Sequence, residues 1–299
     1  MPLTHLLLTL LVVIVWGANF LFVGLGLQEI SPLLLCATRF LLASVPAIFF
    51  IKPPKAPFKL VALYGLVMFA LQFSLLFVGM YVGMTPGMAS LIMQVQVFFS
   101  MFFAAIFLGE KPSSWQIYGA LISFMGIAIV AFHFDADVSL LGFLFILAAA
   151  ATWGVGNLIT KKIKKVNMIS LVVWGSFVAC FPMFILSMLI EGFDNISHTY
   201  NHISWVGIGS LIYIVYGSTW IGYGIWNWLV SKYPVSMVVP FTLLVPIVGM
   251  LSSILVLGEP MQSWKVLAAI FVIVGLCLGL LGPKIFARKL LEAEIKPMA

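Results

Sequence analysis

Ten apolar stretches succeed one another along the chain, and each is close to the about 20 residues that a helix needs to cross a hydrocarbon core. They run over 3–25, 33–51, 58–82, 87–108, 115–134, 140–160, 168–190, 204–228, 235–257 and 264–286. In lipid every backbone N–H and C=O must be satisfied internally, which leaves helices and closed barrels as the only spanning structures. Hydrophobic residues make up 63% of the chain and charged residues 8%. A soluble domain carries about 45–50% and about 25%. The expected fold class is an all-α integral membrane protein with ten transmembrane helices. The first apolar run, Leu3 to Leu27, has no basic segment before it and is long enough to span, so no cleavable leader is expected.

A second feature organises the ten. Leu108 to Gly126 reads LGEKPSSWQIYGALISFMG, and Leu257 to Gly275 reads LGEPMQSWKVLAAIFVIVG. A shift of 149 residues superposes Leu108, Gly109, Glu110, Ser114, Trp115, Ala120 and Gly126 on identical residues. Other echoes keep the same order. Trp16-Gly17-Ala18-Asn19 returns as Trp153-Gly154-Val155-Gly156-Asn157, Pro46 as Pro182 and Pro86 as Pro234. The chain is expected to divide into a first repeat at 1–134, a second at 140–286 and a tail at 287–299. Each repeat holds five spans. Two similar units with an odd number of crossings must be inverted relative to each other, the arrangement that marks secondary transporters with a site at the repeat interface.

Charge sets the orientation. With the N-terminus inside, 13 of 15 basic residues fall in inside loops or the tail: Lys52, Lys55, Lys59, Lys111, Lys161, Lys162, Lys164, Lys165, Lys232, Lys284, Arg288, Lys289 and Lys296. Lys265 alone falls outside, and Arg39 lies within a span. The outside loops carry Glu29, Asp135, Asp137, Glu191, Asp194 and Glu259. This bias predicts cytoplasmic N- and C-termini. The net charge of +6 is thus a topology signal and does not point to nucleic acid. Cys36, Cys180 and Cys277 sit inside apolar spans without metal-ligand spacing and read as buried small residues.

Arg39 is the charged residue well inside a span, about 10 Å below the helix start at Pro32. Two readings stand: its planar fork grips a carboxylate, or it caps helix carbonyls and snorkels outward. Uncharged polar and aromatic residues gather in a few helices. Trp16, Asn19 and Phe20 share a face of the first span, and Trp153, Asn157 and Thr160 a face of the sixth. The third span offers Gln72 and Tyr81, and the eighth Ser218, Thr219, Tyr223, Trp226 and Asn227. Gln94 and Gln96 stand about 200° apart on a regular helix, so both are not expected to point centrally into one cavity. As single residues these hydrogen-bond neighbouring helices; as a set they outline a cavity for a moderately polar solute, lined by spans 1, 3, 4, 6, 8 and 9. Pro46, Pro182, Pro240 and Pro246 are candidate hinges or fixed kinks.

No span contains Asp or Glu, and His5, His133, His198 and His202 lie at edges or in loops. An antiporter built on a membrane glutamate is disfavoured; facilitated diffusion fits better, as does coupling through other, unidentified residues. There is no HExxH, no paired membrane carboxylates and no Gly-rich phosphate loop, which argues against an enzyme, a cofactor, a metal site and an ATP-driven pump. A channel or scaffold would need no inverted repeat. Asn195-Ile196-Ser197 fits a glycosylation sequon of weak specificity.

The segments VVIVWGANF, RFLLASVPAIFFIKPPKAP, GMASLIMQVQVFFS and FLGEK resemble the EamA group of the drug/metabolite transporter superfamily, as do LAAAATWGVGNLITKKI, GYGIWNWLVSKY and LLVPIVGMLSS in the second half. The similarity covers nearly the whole chain. It implies two inverted five-helix repeats, with the fifth and tenth helices peripheral or at a contact between two copies. It implies export of amino acids or derivatives such as cysteine and O-acetylserine across a bacterial inner membrane. By position it favours Asn19, Arg39, Gln94, Gln96, Trp153 and Asn157 as cavity or gating residues. The expected partners are a small-molecule metabolite, the lipid bilayer and, through those peripheral helices, a second copy of the chain. Export of hydrophobic or cationic drugs, and a non-transporting membrane scaffold, are the competing readings.

Overall fold

Helices that satisfy their own backbone fill the structure. The computed structural model describes residues 1–133, 138–163, 166–233 and 238–294, without the side chains of Asn195, Tyr200, Asn227, Val230, Ser231, Val239, Pro240 and residues 283–294. The expectations placed on Asp135, Asp137, Lys164, Lys165, Pro234 and Lys296, and on the side chains of Asn195, Asn227, Pro240, Lys284, Arg288 and Lys289, lie outside the described residues.

Among the described residues nine helical spans are long and apolar enough to cross a membrane: α1 (Leu3–Gly26), α2 (Pro32–Phe49), α3 (Phe58–Tyr81), α4 (Pro86–Leu108), α5 (Ser114–Ala131), α6 (Leu140–Lys162), α7 (Met168–Glu191), α8 (Trp205–Trp226) and, after the shorter apolar α9 (Phe241–Leu257), α10 (Ser263–Gly282). The chain is a multi-pass membrane protein, with ten apolar helices among the described residues. A short helix, Phe193–His202, joins α7 to α8.

Local signals set the ends. Pro occupies the first turn of α2 and α4, where its missing N–H leaves no gap in the ladder. Ser113 and Gln116 form a reciprocal capping box at α5. Ser139, Asn167 and Ser204 cap α6, α7 and α8. Gly109 and Gly258 close α4 and α9 with φ of 66° and 69°, a left-handed turn that glycine adopts without strain.

The packing is two-fold in the way the repeat demands. Advancing each helix by five maps α1 onto α6, α3 onto α8 and α4 onto α9. The helix α1 packs on α8 and α9, and α6 packs on α3 and α4; α2 meets α7, α4 meets α9 and α5 meets α10, each its own counterpart. The glycine of the Trp-Gly motif carries the same contact twice. A Cβ on Gly17 would stand 2.5 Å from Val248, and one on Gly154 3.0 Å from Phe99. Phe99 and Val248 are 149 residues apart. At the axis itself Ser123 Oγ donates to the Val272 carbonyl at 3.0 Å, and Val272 is the 149-residue counterpart of Ser123. Side chains on Gly119, Gly126 or Gly275 would collide with the facing backbone of the α5–α10 pair. In lipid, such small-residue faces let helices approach closely enough for dispersion to hold them. The fold is two inverted five-helix repeats.

Two helices depart from the regular α-helix in matching places. Residues Gly65–Leu71 of α3 and Tyr213–Gly222 of α8 are wound as π-helix. The 149-residue shift carries 65–71 onto 214–220. Wide turns of this kind re-aim side chains and loosen the carbonyl ladder. The candidate hinge prolines fall mostly at changes of helical type. Pro46 follows the α-helical part of α2 (Pro32–Ser44) and precedes a 3₁₀ turn, Ala47–Phe49. Pro240 lies in the 3₁₀ stretch Val239–Leu244, and Pro246 starts the α-helical part Val245–Leu257. Pro182 lies inside α7.

Candidate solute-binding site

A cavity of about 420 Å³ lies between the two repeats. Both copies of the Trp-Gly motif face it, through Trp16, Asn19 and Phe20 from α1 and through Trp153, Asn157 and Thr160 from α6. The faces grouped by helical spacing are therefore the faces presented. Arg39, Gln94, Gln96, Tyr223 and Trp226 line the same space. Gln94 and Gln96 enter it together against the regular-helix expectation. The reason is local: Met93–Val95 is a 3₁₀ turn that interrupts α4, so the angle between the two side chains is not that of an α-helix.

Gln72 and Tyr81 are not among the lining residues. Gln72 is fully buried with neither amide atom partnered. Tyr81 ends α3 and is 61% exposed. The side chain of Asn227 lies outside the described residues. Spans 2, 7 and 10 add Arg39, Met168 and Leu280 to the six expected wall helices. Tyr64 and Met68, beside and within the π segment of α3, also line the cavity and carried no signal in the sequence beyond apolarity.

Arg39 is the charged lining residue. It is 2% exposed, and its Nη2 donates to Thr219 Oγ1 at 3.3 Å. Thr219 in turn donates to the Ile214 carbonyl at 3.0 Å, five residues back along the π segment. Nε and Nη1 have no partner. The guanidinium carbon lies 4.3 Å from the Phe73 ring centroid. Cation–π contact of this kind offsets part of the desolvation of a buried cation, and an acceptor for the open edge is still lacking. Among the described residues no acidic one lines the cavity. The second repeat offers nothing equivalent: counting from the Pro46–Pro182 match, the counterpart of Arg39 is Gly175.

The rest of the wall is neutral. Asn157 Nδ2 donates to Ser100 Oγ at 2.8 Å and to Gln96 Oε1 at 3.5 Å. Asn19 Oδ1 is buried without a partner. Trp16 Nε1 donates to the Ser218 carbonyl at 3.2 Å and packs on Tyr223 and Trp226, ring centroids 5.3 and 5.2 Å away. The site combines one cation with an open hydrogen-bonding edge, an orphan amide oxygen and an aromatic corner. That set suits a small solute with a carboxylate, a polar group and an apolar body.

The cavity lining reaches the span ends at one face, and carboxylates tie the two repeats together at the other. Thr160, Met168, Trp226, Thr242 and Leu280 lie at the span ends next to Lys161, Lys162 and Lys232, so the mouth is at the basic face. At the acidic face three carboxylates bind one repeat to the other. Glu191 accepts from the backbone of Leu33 and Leu34 at 2.7 and 3.1 Å and from the Ser31 hydroxyl at 2.7 Å. Glu29 accepts from Ser204 N at 2.7 Å and Ser204 Oγ at 2.6 Å. Glu259 accepts from Gly87 N at 3.3 Å. Each acid sits at the N-terminus of a span in the opposite repeat, where helix dipole and orphan N–H groups favour negative charge. The sequence presented these residues only as outside-loop charges. A clearer signal was available: three acids on the face where α2, α4 and α8 begin.

Known proteins agree with this architecture. The chain matches the EamA-like transporter family over residues 3–132 and 140–281. A probable amino-acid metabolite efflux pump of Salmonella typhimurium is 37% identical over 281 residues, covering 92% of this chain and 94% of that protein. Its Escherichia coli K12 namesake is 36% identical over the same length and shares. A protein of known crystal structure superposes with a TM-score of 0.64 at 16% identity, covering 97% of this chain and 99% of its own, and so shares the fold. The inverted repeats, the cavity between them and the match across both halves make this chain a member of the EamA-like transporter family.

Proposed function

We propose that the protein exports amino acids or small derivatives of them, such as cysteine and O-acetylserine, across a bacterial inner membrane by alternating access. The observation that carries the reading is Arg39: a buried guanidinium on the cavity wall with two nitrogens unpartnered. A solute carboxylate supplies the missing acceptor, and charge-assisted pairs are the strong class of hydrogen bond. Asn19, Gln94, Gln96 and Asn157 meet the solute's polar groups, and Trp16, Trp153, Tyr223 and Trp226 pack its body. The relatives named as probable amino-acid metabolite efflux pumps support this substrate class.

In this reading the units 1–134 and 140–286 rock about the solute, with Pro46, Pro182, Pro240 and Pro246 at the bends. The basic face is cytoplasmic by the positive-inside rule, with both termini and the tail 287–299 on that side. The open mouth then faces the cytoplasm, where the solute is made.

Counterflow in proteoliposomes tests it. Vesicles loaded with unlabelled serine, cysteine or O-acetylserine receive the labelled compound outside, with no pH gradient or membrane potential. Transient accumulation is expected for at least one of them. Accumulation of a lipophilic cation such as tetraphenylphosphonium, and of no amino acid, would replace the reading with drug export. No flux of either would leave a scaffold.

A further inference from the structure

The three seals on the acidic face are unequal. Glu29 and Glu191 are held by bonds of 2.6 to 3.1 Å. Glu259 has one backbone donor at 3.3 Å. It lies against a bare backbone: a Cβ added to Gly87 would stand 2.9 Å from Glu259 Oε2 and 3.5 Å from the Ser253 Cβ. Beside it the buried hydroxyls of Thr85 and Ser253 face the carboxylate, and the Ser253 side chain is fully buried. The charged group facing Glu259 is Lys265, at the start of α10, whose Nζ donates to the Pro260 carbonyl at 3.2 Å. Among the described residues, the turn at α4 and the end of α9 bring the Gly87 amide and the hydroxyls of Thr85 and Ser253.

This pocket fits a protonated carboxyl as well as a charged one. The acid's O–H has an open hydroxyl oxygen to donate to, and its carbonyl oxygen keeps the Gly87 amide. We propose that Glu259 is a proton-binding site and that its proton holds the acidic-face seal shut. The repeat supplies the contrast. Glu110 is the 149-residue counterpart of Glu259 and follows the same left-handed glycine, yet it stands in solvent and pairs with Lys161 across the repeats.

The direction follows from linkage. Burial pushes the docked Glu259 carboxyl above its ordinary value of 4.5, against the opposing pull of the Gly87 amide, the two hydroxyls and Lys265. A released side chain in water keeps the ordinary value. The docked form therefore binds the proton more tightly. Acid on this face favours the sealed state, and raising the pH through the docked value favours release. A proton taken up there leaves to the same face when the seal opens, so it biases the cycle without crossing the membrane.

The test needs no transported solute, so its outcome is separate from the amino-acid reading. In a chain with Cys36, Cys180 and Cys277 replaced by Ala, Met84→Cys places a thiol 1% exposed next to the start of α4. A second chain carries Phe132→Cys, 85% exposed at the same face. Both are reconstituted and labelled from that face with a membrane-impermeant maleimide, and the ratio of the two rates removes the reagent's own pH dependence. The ratio is expected to rise several-fold from about pH 5 to about pH 8. Glu259→Gln, a neutral mimic of the protonated acid, is expected to stay low and flat with pH, and Glu259→Ala high and flat. A flat ratio with Glu259 intact, or a Glu259→Gln ratio that rises as before, overturns the proposal. If Glu259→Ala does not assemble, the Glu259→Gln comparison decides alone.

Discussion

The two repeats are alike in backbone and unlike in chemistry. Leu108-Gly109-Glu110 and Leu257-Gly258-Glu259 end their helices with the same left-handed glycine. One glutamate then reaches across to the N-terminus of α4, and the other remains in solvent beside Lys161. Local sequence dictated the helix end in both cases. It did not dictate docking, which depends on which face of the molecule is closed. Arg39 is a second asymmetry. The first repeat places a guanidinium on the cavity wall, where the second has Gly175, a residue pressed against the Tyr64 and Phe69 rings. In this inverted pair the shared Trp16, Asn19, Trp153 and Asn157 line the cavity from both repeats, and Arg39 adds a charge from one side alone.

The largest effect is expected at the unshared charge. Arg39→Met should lower counterflow of a carboxylate-bearing solute by about 10–100-fold, from the about 1.5–3 kcal/mol of a hydrogen bond to a charged group. Its thermal midpoint in detergent should hold or rise, because the substitution removes a buried, incompletely paired charge. A large fall in that midpoint would make Arg39 a structural residue.

The next effect is expected at the shared axis. Gly275→Ala drives a methyl into Ser123 and the Gly119 carbonyl, and should destabilise by about 1–3 kcal/mol, as overpacking does. Gly209→Ala, where nothing lies within 4 Å, is the control and should change the midpoint little. Equal effects would dissolve the claim that the α5–α10 contact is close-packed.

Smaller again is the seal at α2. Glu191→Gln should cost about 1 kcal/mol, the scale of a charged cap on orphan N–H groups. The smallest is Glu110→Gln on the open face, at most about 0.5 kcal/mol for a solvent-screened pair. If Glu110→Gln proved the more damaging, the basic face would be the sealed one.

Much of this was legible beforehand, for a physical reason. Lipid removes most alternatives, so ten apolar runs declare ten helices, and a 149-residue echo with five spans per unit declares inversion. Trp16, Asn19, Trp153 and Asn157 were legible because α1 and α6 are regular, and helical spacing then reports a true face. Gln94 and Gln96 depart from that spacing because a 3₁₀ turn at Met93–Val95 interrupts α4. Tyr64 and Met68 were missed because apolar wall residues look like core. The π segments of α3 and α8 left no mark in hydropathy, although they set Thr219 under Arg39. For Glu29, Glu191 and Glu259 the sequence offers the shared face with the starts of α2, α4 and α8, and the pairing of each acid with its helix comes from tertiary structure.

The most direct test of the central claim compares an amino acid with its carboxamide in counterflow, in the unaltered protein and in Arg39→Met. The unaltered protein is expected to carry the acid at least about tenfold better, and Arg39→Met to lose this preference while still carrying the amide. An Arg39→Met protein that kept the full preference for the acid would contradict this, and the carboxylate would have to be read elsewhere in the cavity.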